Sequence, residues 1–176
     1  MNNSITPTPL LGFCAFSGTG KTTLLTKLIP ILNAQGIRLS VIKHAHHDFD
    51  IDHEEKDSYK LRHAGATQML ISSSRRWALM RELDKNENEL TLAQLIAEID
   101  HECTDLILVE GFKKESIPKI ELHRPSLGHP LMCKEDSNVI AVAVDESCKT
   151  PEQLICLDIN QPEEIAQFIT KHFNLS

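Results

Sequence analysis

Two rhythms of apolar residues alternate along this chain. Leu10-Leu11-Gly12-Phe13-Cys14, Ile37-Arg38-Leu39-Ser40-Val41-Ile42-Lys43, Asp105-Leu106-Ile107-Leu108-Val109-Glu110-Gly111 and Val139-Ile140-Ala141-Val142-Ala143-Val144 are short runs of the kind that strands make. Elsewhere apolar residues recur three and four apart: Leu24, Leu25, Leu28, Ile31 and Leu32; then Leu92, Leu95, Ile96 and Ile99; then Ile165, Ala166, Phe168 and Ile169. That spacing lays one apolar stripe along a helix. The first helix is expected to run to Ala34-Gln35 and stop at Gly36, with a kink or a lost hydrogen bond at Pro30. Thr91 is the expected cap of the second helix, and Pro162 the opening residue of the third. A strand, a helix and a strand within about 30 residues predict a right-handed βαβ unit.

The segments between these elements are less regular. Asp57 to Ala64 predicts a short helix capped by Asp57 or Ser58 and ended by Gly65, and Leu83 to Glu89 a charged loop. Gln68–Ser72 and Arg76–Met80 predict two strands paired through Ser73-Ser74-Arg75. The run 105–111 is continuously apolar, which suits a central strand covered on both faces. Ile117 to Arg124 alternates instead, the pattern of a half-exposed edge strand, and is followed by a loop through Asn138. Leu154 to Asp158 predicts a last short strand. Together these give an α/β fold of three layers, with a mostly parallel central sheet and an antiparallel strand extension.

At 176 residues, one domain is the expectation, with residues 1–9 as a flexible lead-in. A content of 41% hydrophobic and 24% charged residues is that of a soluble globular protein. The net charge of -7, with no basic block, argues against general nucleic-acid binding. No apolar run reaches the ~20 residues that span a bilayer, and the first residues lack the features of a signal peptide, so no membrane partner is expected. Five cysteines with no C-x-x-C spacing fit neither a disulfide framework nor a zinc knuckle and suggest a reduced, cytoplasmic setting.

The chemistry starts at Ala15-Phe16-Ser17-Gly18-Thr19-Gly20-Lys21-Thr22, between the first strand and the first helix. This is the context a P-loop requires, with Ala15 standing where the strict pattern has glycine. Gly18 and Gly20 free the backbone to turn N–H groups onto phosphate oxygens, and the helix N-terminus adds further donors. Lys21 is expected to reach the β- and γ-phosphates and the Thr22 hydroxyl to ligate Mg²⁺.

Glu110 closes an apolar strand as a Walker-B acid does, where it would hold the Mg²⁺ shell or polarise a water. The loop after the second strand, Lys43-His44-Ala45-His46-His47-Asp48-Phe49-Asp50-Ile51-Asp52-His53, is open to two readings. In one, Asp48 or Asp50 supplements the Mg²⁺ ligands while Lys43 and a histidine contact phosphate. In the other, His44, His46, His47 and His53 take a transition metal. Arg62, Arg75 and Arg76 are candidates for phosphate or subunit contacts, and Trp77 for the core. No Asn-Lys-x-Asp, the guanine-reading motif of Ras-like GTPases, occurs; Asp145, at the end of the 139–144 strand, is the candidate for that role.

Taken together, several blocks resemble the MobB family, the accessory proteins of molybdopterin-guanine dinucleotide biosynthesis. They are Phe16 to Leu25, Ile42 to Asp48, Lys56 to Tyr59 with Arg62, Ala64-Gly65-Ala66, Arg76 to Met80 and Leu106 to Lys113, in order over most of the chain. The resemblance implies a dimeric, Mg²⁺-dependent protein that binds GTP and hydrolyses it weakly. Its implied partner is the molybdopterin guanylyltransferase, MobA, with molybdopterin or the molybdenum cofactor as a further ligand. Carried over residue by residue, Ser17, Gly18, Thr19, Gly20, Lys21, Thr22 and Thr23 would bind phosphates, and Thr22 and Glu110 would serve Mg²⁺. Lys43 to Asp48 would line the nucleotide site, and the strands around Arg76-Trp77-Ala78 would supply dimer contacts. Two other readings of the same residues are a metallochaperone GTPase using the histidine loop and a small-molecule P-loop kinase. Tight stoichiometric metal binding would mark the first, and acceptor-dependent ATP consumption the second.

Overall fold

A computed structural model of the chain describes residues 8–45, 49–83, 88–146, 150–151 and 153–175. His46, His47 and Asp48 lie outside the described residues. The chain divides into two compact units, one of Met1–His44 with Thr91–Ser176 and one of Ala45–Leu90.

The first unit holds six strands: β1 (Leu10–Cys14), β2 (Leu39–Lys43), β5 (Leu106–Glu110), β6 (Lys119–His123), β7 (Val139–Val144) and β8 (Ile155–Asp158). They form one sheet in the order β2-β5-β1-β6-β7-β8, every neighbouring pair parallel. Period-two alternation sorts their side chains into two layers. Leu11, Phe13, Leu106, Leu108, Ile120, Leu122, Ala141 and Ala143 face helices α1 (Lys21–Ala34) and α4 (Pro162–Phe173), which add Leu24, Leu25, Leu28, Leu32, Ile165, Ala166 and Ile169. On the other face Ile42, Ile107 and Val109 meet Leu92 of α3 (Leu92–Ala97), while Cys14, Val142 and Val144 meet Leu131. Each fully buried Leu or Ile in these layers contributes about 1.5–3 kcal/mol. Helix, sheet and helix make the three layers that the apolar runs predict.

The helix signals largely hold. Thr91 and Gln94 form a reciprocal capping box at the start of α3, with bonds of 3.3 and 2.9 Å, and Pro162 is the first residue of α4. Helix α1 continues through the exposed Pro30 to Ala34, and Gly36 leaves it at φ +84°. Among the described residues no helix is long and apolar enough to cross a membrane.

Strand β6 departs from expectation. It is an interior strand between β1 and β7, and all five of its residues are buried. Two of its polar residues, Lys119 and Glu121, are satisfied by the segments that flank the strand. The Glu121 carboxylate accepts the backbone N–H groups of Met132 (2.7 Å) and Cys133 (2.8 Å). The Lys119 ammonium pairs with Asp136 at 2.9 Å and donates to the Glu115 carbonyl. Burial works to raise the Asp136 carboxyl, but Lys119 and Asn138 hold it below its ordinary value. A buried charge is tolerable when paired and hydrogen-bonded in this way.

The second unit contains α2 (Asp57–His63) and an antiparallel hairpin of β3 (Gln68–Ser72) and β4 (Trp77–Arg81), the strand extension expected from the sequence. Lys56, rather than Asp57 or Ser58, occupies the cap position of α2, and Asp57 contributes charge in the first turn. Trp77 is not core: 69% of it is exposed. The register puts Leu70 opposite Leu79 and Ser72 opposite Trp77, so Leu70, Leu79 and Trp77 share one face of the hairpin. All three are exposed. Arg62 is committed within this unit, its guanidinium bonding both oxygens of Asp50 (2.7 and 2.6 Å) and Glu82 (2.6 Å).

Candidate functional site

Strand β1 sits where the strand order reverses, with β5 and β2 on one side and β6, β7 and β8 on the other. In an open parallel sheet the crevice beyond the carboxyl end of such a strand is the natural ligand site. The glycine-rich segment leaves β1 at that point. Gly18 and Gly20 sit at φ +79° and +100°, conformations a Cβ makes costly. Between them the buried Thr19 turns its hydroxyl onto the Phe16 carbonyl at 2.9 Å, holding the loop in a tight turn. Ala15, standing where the P-loop pattern has glycine, is buried in the core, so its Cβ points away from the loop.

Helix α1 begins straight after Gly20, with no side chain capping its N-terminus. Its first intrahelical bond runs from Leu24 to Gly20 at 2.9 Å, so the opening amides precede the ladder and carry the positive end of the helix dipole. Ser17, Thr22 and Thr23 are exposed beside them. The Lys21 ammonium bends back over the loop and donates to the Ala15 carbonyl at 3.3 Å. Its pKa lies below the ordinary lysine value, chiefly through burial and then through the nearby Lys113 ammonium, with Glu110 working the other way.

The neighbouring strand ends complete the rim. Glu110 stands in register with Phe13 of β1 on one side and Lys43 of β2 on the other, and the Lys43 ammonium lies 3.5 Å from its carboxylate. The His44 amide donates to the Glu110 carbonyl at 2.8 Å, tying the two strand ends together. Gly111 then turns the chain at φ +112°, where a Cβ would stand 2.6 Å from the His44 Cβ. Gly111→Ala is therefore expected to destabilise the protein by about 1–3 kcal/mol, read from urea unfolding, and to disturb the Glu110–Lys43 corner.

On the other side of β1 the chain contributes groups that sequence reasoning did not single out as site residues. The Arg124 guanidinium, just past β6, donates from Nε to the Thr19 carbonyl at 2.9 Å and from Nη1 to Asp145, just past β7. The Phe16 ring stacks on His129 with centroids 4.3 Å apart, and the Lys113 ammonium lies 5.5 Å from the same ring. The loop, Lys21, Lys43, Glu110 and Asp145 are thus gathered at one sheet edge. Lys21, Lys43, Lys113 and Arg124 bring four cations to this end of the sheet, beside the uncapped start of α1, an arrangement suited to a polyanion. Among the described residues no three His, Cys, Asp and Glu side chains are grouped for a metal ion.

The chain is similar to known proteins over most of its length. Residues 10–145 match the model of the MobB family, molybdopterin guanine dinucleotide synthesis protein B. The molybdopterin-guanine dinucleotide biosynthesis adapter protein of Escherichia coli (strain K12) is 53% identical over 164 residues, covering 93% of this chain and 92% of that protein. The adapter protein of the same description from Haemophilus influenzae is 48% identical over 169 residues, covering 96% and 90%. Among solved structures, that of molybdopterin-guanine biosynthesis protein B superposes with a TM-score of 0.71 at 26% identity, covering 93% of this chain and 99% of that one.

Proposed function

This chain belongs to the MobB family, and from that premise we propose that it is a GTP-binding, weakly hydrolysing accessory protein of molybdopterin-guanine dinucleotide biosynthesis. It would assist the molybdopterin guanylyltransferase in attaching GMP to molybdopterin. The observation that carries the reading is the backbone cradle between Gly18 and the start of α1, walled by lysines at the carboxyl ends of parallel strands. Such a cradle takes the phosphates of a nucleotide. In this reading Ser17 to Thr23 receive the phosphates, Lys21 and Lys43 balance their charge, and Asp145 stands at the nucleoside end.

Mg²⁺ suits the donor set. The Thr22 hydroxyl and the Glu110 carboxylate are hard oxygen ligands, and the ion keeps several waters when bound between protein and phosphate. Bound there, Mg²⁺ would neutralise charge on the phosphate oxygens. Glu110, in turn, is held in place by Lys43 and by the bond between the β2 and β5 ends. Glu110→Gln keeps the shape and removes the charge. It is expected to bind GTP within about threefold of the wild type at saturating Mg²⁺ while shifting the Mg²⁺ midpoint upward by tenfold or more. An unchanged Mg²⁺ titration and an unchanged hydrolysis rate would remove Glu110 from this role.

A homodimer is part of the proposal. The face of Leu70, Leu79 and Trp77 exposes aromatic and aliphatic groups of the kind that interfaces cover. The assembly is expected to be cytoplasmic, and to co-migrate with the guanylyltransferase in a pull-down made with GTP present.

A further inference from the structure

Arg124 holds the phosphate loop and the β7-end carboxylate in one frame. It reaches the site from β6, on the side of β1 away from Glu110, and so stands apart from the groups assigned to Mg²⁺. Its Nε–H donates to the Thr19 carbonyl across 105 positions of sequence, and its Nη1–H donates to an Asp145 oxygen. Nη2 lies 3.9 Å from where a Gly20 Cβ would stand, so the guanidinium packs against the most constrained turn of the loop. The other Asp145 oxygen is buried with no hydrogen-bond partner. Arg124 is thus the charge-assisted hydrogen-bond partner that orients this carboxylate.

An exposed arginine would be a solvated side chain of little consequence. This one is partly buried, with both ends of its fork engaged and each end on a different functional element. We propose that Arg124 is a positioning residue that couples the phosphate loop to Asp145, so that the phosphate and nucleoside ends of the site are set together. The proposal deepens the nucleotide-binding reading and rests on it for its functional consequence. The coupling itself is a property of the protein without ligand. Lysine cannot substitute, because a single ammonium has no planar fork to span the Thr19 carbonyl and the Asp145 carboxylate at once.

The test uses Arg124→Gln, Arg124→Lys, Asp145→Asn and the double variant Arg124→Gln with Asp145→Asn, in the full chain. Hydrogen–deuterium exchange of the ligand-free protein reports on the peptide covering residues 18–22, and titration with a fluorescent GTP analogue reports affinity. Arg124→Gln and Asp145→Asn are each expected to speed exchange in that peptide and to weaken the analogue by about 5- to 50-fold. The double variant should fall within about threefold of the weaker single variant, because both break one network. Arg124→Lys, which keeps the charge and the fold, should resemble Arg124→Gln in exchange. Unchanged exchange in Arg124→Gln, or losses that multiply in the double variant, would overturn the coupling. Faster exchange in a protein whose wild type binds no triphosphate would leave the coupling standing and overturn the nucleotide reading instead.

Discussion

Lys21→Ala is expected to weaken triphosphate binding by about a hundredfold or more and to leave the fold intact. The two halves of that result have separate causes. The Lys21 ammonium bends over the cradle, where it donates to the Ala15 carbonyl at 3.3 Å. A phosphate is a far better acceptor, and the bond to it is charge-assisted. For the fold, however, Lys21 is a burden. It is the first residue of α1, where a positive charge opposes the helix dipole. Its pKa is depressed by burial first and by Lys113 second, which means that folding disfavours its charged form.

The sign of the pH dependence follows. A lysine whose pKa is lower folded than unfolded costs stability while charged, and the protein gains stability as pH rises through the depressed value. Phosphate affinity is expected to run the other way and to decline over the same interval, earlier than an ordinary lysine would lose it. Lys21→Ala should therefore combine lost binding with an unchanged or slightly higher Tm, measured by titration and by thermal unfolding of one preparation. Binding like that of the wild type in the folded variant would contradict the assignment of this loop.

The largest effect on stability is expected at Glu121. Glu121→Ala would leave the Met132 and Cys133 amides of the segment after β6 without their acceptor and open a cavity at an interior position of the sheet. Removing one partner of such a buried charged network costs about 3–5 kcal/mol. In a chain of this size that is a fall in Tm of about 10 °C. Glu121→Gln, which keeps one good acceptor and the volume, should lose less than half as much. The segment following β6 would come away from the strand in the alanine variant. Since that segment carries His129 against Phe16, the phosphate loop would loosen as well. A Tm within 2 °C of the wild type would show that the two amides find water instead.

The same residues mark the boundary of what the sequence makes legible. Strands β1, β5 and β7 are plain in it because a parallel strand covered on both faces has no need of polar residues. The turn between β1 and α1 is plain because its signal is local, written in the spacing of Gly18, Gly20, Lys21 and Thr22. Strand β6 misleads for the opposite reason. Lys119, Glu121 and His123 alternate with apolar neighbours, as on a half-exposed edge, yet Lys119 and Glu121 are buried with partners from residues 115 and 132–136. Periodicity registers a polar side chain and not the group that satisfies it. Trp77 fails similarly, since an apolar ring is equally at home in a core and on a face that another surface covers. Arg124 reads as the end of a strand until the fold brings Thr19 and Asp145 to it. His46 and Asp48, which the resemblance assigns to the nucleotide site, lie outside the described residues.

The central claim is that the cradle after β1 is a guanine-nucleotide site, and calorimetric titration tests it most directly. The purified protein would be titrated with non-hydrolysable GTP and ATP analogues, each with and without Mg²⁺. The account predicts stoichiometric binding of the GTP analogue, dependent on Mg²⁺ and at least tenfold tighter than the ATP analogue. Equal or preferential binding of the ATP analogue, or no heat with either, would contradict it.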